Sequence, residues 1–169
     1  TTTEARGVEA TGNAWGGGRR GGGASGGAGG RVAAGVGPFA HGNDGGGALG
    51  VPGSWCGVFG FKPGRGLLPS GPIVGEGWAG MGTGHAITLS VRDSAALLDA
   101  TAGVDLGAPY AAPLAARPYR LAVLDEPAPL RIALVESVGP WPVSAESREA
   151  LRDAAMLCES LGHRVVHES

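Results

Sequence analysis

The chain has 169 residues, 43% of them apolar, which is enough for one core in a single domain. Its 13 Lys+Arg against 15 Asp+Glu, with Lys62 the single lysine, give a net charge of -2 and no basic face for nucleic acid. No uninterrupted apolar run approaches the roughly 18 residues of a membrane span, and the start, TTTEARGVEATGN, has no apolar signal stretch. A cytoplasmic protein with no membrane or nucleic-acid partner is expected.

Glycine supplies 34 residues and proline 12, a proportion that usually flags low complexity, yet 30 of the glycines fall in residues 1–84. In that half glycine erases the side-chain periodicity that separates helix from strand. Val32, Ala33, Ala34, Val36, Phe39 and Ala40, then Val51, Trp55, Cys56, Val58, Phe59 and Phe61, are too apolar for a solvated linker, so packed structure with close backbone approaches is predicted. Ser90-Val91-Arg92-Asp93 has the hydroxyl and carboxylate of a helix start, and Ala95, Ala96, Leu97, Leu98 and Ala100 carry the helix on to a stop at Gly103. Residues 104–129 hold five prolines and read as a long surface connection.

LRIALVE (130–136) reads as a strand, Ser144 opens a helix on which Leu151, Ala154, Ala155, Cys158 and Leu161 recur at helical spacing, and Gly162 stops it. HRVVH (163–167) then reads as a second strand, completing a β-α-β unit that favours a parallel sheet with a right-handed crossover. The class is α/β, laid out as a glycine-rich core over 1–103, a Pro-rich connection over 104–129 and a β-α-β unit of the same domain over 130–169. Cys56 and Cys158 match neither a metal-ligand spacing nor a disulfide framework, and both read as small buried apolar residues.

The pattern G-x-G-x-x-G begins at Gly16, Gly21, Gly45 and Gly75, but glycine at this density produces about four such matches by chance. Lys62 is followed by Pro63, so no phosphate loop of the G-x-x-x-x-G-K-[ST] form exists, and no cofactor is expected.

Residues 22–66 match a longer pattern in order, spacing and flanks. Gly22-Gly23-Ala24-Ser25-Gly26-Gly27 precedes an Ala-rich stretch, followed by Asp44-Gly45-Gly46-Gly47-Ala48, Pro52, Cys56-Gly57 and Gly60-Phe61-Lys62-Pro63. This resembles the signature region of the amidase signature family, serine hydrolases that cleave carboxamide bonds. Asn13 and Trp15 before it and GHAITLSVRDSAALLDATAG (84–103) after it extend the resemblance over nearly the whole chain. Gly75-Glu76-Gly77-Trp78, His85 and GAPYAAP (107–113) look most like the subgroup that includes cyclic-dimer amide hydrolases. The resemblance implies a mixed sheet flanked by helices, present here as a partial domain.

The same resemblance implies a mechanism. A serine hydroxyl attacks the amide carbon, a second serine on a cis peptide relays its proton to a neutral lysine, and glycine-rich backbone amides hold the oxyanion. Transferred residue by residue, the nucleophile position is Ala48 and the shuttle position is Ala24, neither with a hydroxyl. The family's lysine lies well before the glycine signature, and none of the 23 residues preceding Ala24 is a lysine. Further departures stand at Ala14, Gly50 and Leu89. The chain is expected to lack the family's serine chemistry, retaining Asp44, Gly45, Gly46 and Gly47 as an oxyanion or substrate loop that could bind a small amide or carboxylate ligand. The alternatives are a non-catalytic binding or interaction protein that retains the pocket, and a decayed fragment without a selected function.

Other side chains carry a structural reading beside a functional one. Ser25 reads as a helix-capping hydroxyl, or as a residual hydroxyl turned into the pocket. Cys56 reads as a core thiol rather than a thiolate paired with His41 or His85, and Asp44 as an acceptor of loop amides rather than a base. Glu76 and His85 either line a pocket or are satisfied structurally. His163 and His167 share a strand face too far apart for one ion, so no metal site is expected. A partial sheet exposes an unpaired edge and apolar surface, which favours self-association.

Overall fold

The computed structural model describes residues 10–168, so the reading of the chain start falls partly on residues outside them. The chain divides into two compact units, the first running to Leu124 and the second beginning at Asp125. Along the first, β1 (Gly12–Asn13) pairs antiparallel with β2 (Gly16–Arg20). Then come α1 (Gly26–Ala33), β3 (Phe39–Asp44), α2 (Gly50–Cys56), β4 (Phe59–Gly60), β5 (Thr83–Thr88), α3 (Val91–Thr101) and α4 (Tyr119–Ala122). β3, β5 and β4 form an antiparallel sheet with β5 in the centre.

Position in the sheet follows composition. The central β5 carries the β-branched Thr83, Ile87 and Thr88, and buries every residue except Gly84, which is half-buried. β3 alternates, turning Gly42 and Asp44 inward and leaving Phe39, His41 and Asn43 exposed. α1 buries Gly26, Gly29, Gly30 and Val32, and its glycines are the contact face. A Cβ at Gly29 would sit 2.9 Å from Pro52 Cβ and 3.3 Å from Cys56 Sγ, so α1 reaches α2 at backbone distance. Val32, Leu49, Cys56, Ile87 and Leu98 form the small core between these elements.

α3 starts as predicted: Ser90 Oγ accepts from Asp93 N at 3.1 Å and donates to Asp93 Oδ2 at 2.8 Å. It ends at Thr101, two residues before Gly103. The Pro-rich connection holds one helical turn, α4, whose Tyr119 and Arg120 amides donate to the Asp99 carboxylate at 2.6 and 3.0 Å. That cap lies 20 residues away in sequence, beyond any local pattern.

The second unit is the expected β-α-β: β6 (Arg131–Val135), α5 (Ala145–Ser160) and β7 (Arg164–Glu168), with β6 and β7 parallel. Ser144 caps α5 by accepting from Ser147 N, and Gly162 turns out of it at φ +87°. β7 begins one residue later than read, leaving His163 before it, where its Nδ1 accepts from Leu130 N. Cys158 corrects the expectation of burial: with Leu151 and Ala155 it is half-buried, while Leu134 is the buried residue among those described in this unit. A single helix over two strands leaves Ala154 and Leu161 of its apolar stripe exposed. The α/β class holds, with parallel and antiparallel pairing in separate sheets among the described residues. No helix of the described residues is long and apolar enough to cross a membrane.

Candidate active site

β3 delivers Asp44 to the start of a glycine turn, Gly45–Gly47, that leads through Ala48 and Leu49 into α2. The Asp44 side chain is 2% exposed and both its oxygens are used. Oδ1 accepts from Gly47 N and Oδ2 from Leu49 N, each at 2.7 Å, and Lys62 Nζ lies 3.3 Å from Oδ1. Burial raises the acid's pKa, but the Leu49 and Gly47 amides, with Lys62 behind them, outweigh it and hold the carboxyl below its ordinary value. Lys62 Nζ also donates to Gly45 O at 3.3 Å. The sequence reading of Asp44 as the organiser of the turn thus has a geometric form, and it spends the Gly47 amide on Asp44.

Ala48 and Ala24 come together although 24 positions separate them. A Cβ at Gly23 would lie 3.3 Å from Ala48 Cα, so the segment before α1 runs against the head of α2. Both alanines line one groove of about 500 Å³, with Asn43, Ser70, Trp78 and Thr83 on its other walls and Gly45 and Gly46 at its edge. The cis peptide of the described residues is Gly71-Pro72, and the bonds either side of Ala24 are trans.

Ser25 departs from its capping role. It occupies the residue before α1, but with ψ near 20° its hydroxyl makes no cap. Instead Oγ donates to Asn43 O and accepts from Asn43 N, both at 3.2 Å, fastening the start of α1 to β3. Gly42 makes room for it, since a Cβ there would stand 2.9 Å from Ser25 Oγ. Cys56 is buried and bonds Gly21 O through Sγ at 3.4 Å; burial pushes its thiol pKa up. No thiolate pairing with His41 or His85 is formed. His85 meets Ser94 Oγ at 2.8 Å and packs edge-on against Phe61, and burial, then His41, hold its pKa below the ordinary histidine value. Glu76 Oε2 accepts from Tyr110 Oη at 2.7 Å. Among the described residues no three His, Cys, Asp or Glu side chains gather as a metal-binding group.

The structural roles of two residues of the site escaped sequence reasoning. Lys62 was legible only as a motif letter, because its partner lies on a different element. Trp78 stands in a glycine-bracketed segment, and that bracketing is the signal that could have found it. Trp78 and Ala79 adopt φ of 54° and 52°, followed by Gly80 at 76°, a left-handed turn closed by Gly82 N donating to Gly77 O at 2.9 Å. Each non-glycine residue there costs on the order of 1–2 kcal/mol. The indole lies on the glycine turn, for a Cβ at Gly45 would meet Trp78 Cε3 at 2.9 Å.

A model of the family described as Amidase matches residues 1–169. The chain is 42% identical over 168 residues to the 6-aminohexanoate-cyclic-dimer hydrolase of Paenarthrobacter ureafaciens, covering 97% of this chain and 34% of the relative. It superposes on a structure of 6-aminohexanoate cyclic dimer hydrolase complexed with substrate at a TM-score of 0.92 and 41% identity, covering 99% of this chain and 36% of that one. A bacterial aryl acylamidase of the amidase signature family gives 0.85 at 29% identity, over 94% of this chain and 32% of that one. The chain therefore spans about a third of the length of the relatives it matches.

Proposed function

The chain belongs to the amidase family, and from that membership we propose that it carries the amide-binding groove of a carboxamide hydrolase from which the serine chemistry has gone. The observation behind this reading is that Ala24 and Ala48, the positions where the family's pattern calls for serine, line the same groove. A methyl group offers no lone pair, so neither the acyl-enzyme nor the proton relay can form on them. In subtilisin, a different serine hydrolase, loss of the nucleophilic serine costs about a million-fold in rate. The similarity to a cyclic-dimer hydrolase and an aryl acylamidase supports linear or cyclic amides as the ligands.

A non-catalytic binding protein, whose role is the ligand itself and not a lost hydrolysis, is a second reading, favoured by an open groove and by a glycine turn that Asp44 and Lys62 hold in shape. Assay of the purified chain on aliphatic, aryl and cyclic amides is expected to release no burst of amine or ammonia, while calorimetry with millimolar carboxamides or carboxylates is expected to register heat. A stoichiometric burst would overturn the loss of catalysis, and absence of heat would overturn the retained site.

A further inference from the structure

We propose that Trp78 is the specificity-determining roof of the groove, held in a left-handed backbone so that its indole selects carboxamides bearing an extended or flat apolar acyl group; this rests on the reading of the groove as an amide site. A tryptophan at φ 54° is an unfavourable choice of residue, because a glycine would fit the same turn without strain. The conformation is imposed from both ends of the segment. Arg65 Nε donates to Gly80 O at 2.7 Å, and Tyr110 Oη donates to Glu76 Oε2 at 2.7 Å. The Arg65 guanidinium lies 5.2 Å from the Tyr110 ring centroid, joining the two braces into one.

What that support achieves is placement. Trp78 remains 64% exposed, yet one edge of its indole rests on Gly45 in the turn that leads to Ala48. Structural burial therefore does not account for the side chain, whereas a wall for a ligand in the groove does. Val74 and Pro69 continue the apolar surface, and Asn43, Ser70, Thr83 and the His41 imidazole supply polar groups along the groove. The Asp44 carboxylate is already matched by two amides and Lys62. Such a lining suits a neutral amide head and an apolar tail.

Calorimetry of the chain with acetamide, hexanamide and benzamide tests the roof. The larger two are expected to bind about tenfold or more tighter than acetamide, the gain from covering a few methylenes or a ring. Trp78→Gly is expected to remove that preference while keeping or raising the melting temperature, since glycine relieves the left-handed strain. Trp78→Phe is expected to retain most of it. A merely structural tryptophan would instead give a lower melting temperature with the preference intact, which overturns the proposal. Heat from all three amides with no preference in the unsubstituted chain overturns the roof alone. No heat from any amide overturns the reading of the groove, and the roof with it.

Discussion

Asp44 shows how one side chain can hold a glycine turn in shape. Its two oxygens satisfy the amides of Gly47 and Leu49 in a buried position. Asp44→Ala strands both donors and is expected to cost about 2–4 kcal/mol in urea unfolding. Lys62, 38% exposed, adds less than the amides because solvent screens it. The folded carboxyl has a depressed pKa, so its contribution is present above the ordinary value of 3.8 and is lost as pH falls through the lower folded value. An acid titration of unfolding free energy should show that limb in the unsubstituted chain and lack it in Asp44→Ala. Ser25 makes the complementary point: its place before a helix suggested a cap, but a nearby strand with Gly42 in the right position captured its hydroxyl.

At the scale of elements, glycine serves as a packing residue. α1 buries Gly26, Gly29 and Gly30, and at Gly29 the approach to α2 leaves no room for a Cβ. Two substitutions on α1, two positions apart, separate packing from propensity. Gly29→Ala places a methyl 2.9 Å from Pro52 and should destabilise by about 1–3 kcal/mol. Gly27→Ala meets Thr11 at an ordinary 3.9 Å and should gain up to about 1 kcal/mol from helix propensity. Thermal melts of the two variants should move in opposite directions, and a shared direction would contradict the packing account. The helices α3 and α5 were legible because their caps act within three residues, Ser90 with Asp93 and Ser144 with Ser147. α4 was not, because its capping carboxylate, Asp99, is distant in sequence.

At the scale of the whole molecule, the second unit carries exposed apolar side chains on and beside its helix. Met156, Leu157 and Leu161 are 59–66% exposed on or just beyond α5, above a parallel pair of only two strands. We propose that this surface drives self-association: light scattering should register species heavier than the 16.7 kDa chain, and Leu157→Glu with Leu161→Glu should reduce them. A single 16.7 kDa species in the unsubstituted chain would contradict the proposal. The sequence by itself determined the α/β class, the β-α-β unit, the family and the alanines at positions 24 and 48, because capping, periodicity and motif spacing are encoded between near neighbours or in fixed order. Only the tertiary structure decided that Lys62 meets Asp44, that Ser25 turns to Asn43, that the Glu76–Tyr110 pair braces residues 75–82 and that Trp78 roofs Gly45. Those contacts join different elements, and in a chain where glycine removes the side-chain pattern, their pairing is set by which backbones can approach.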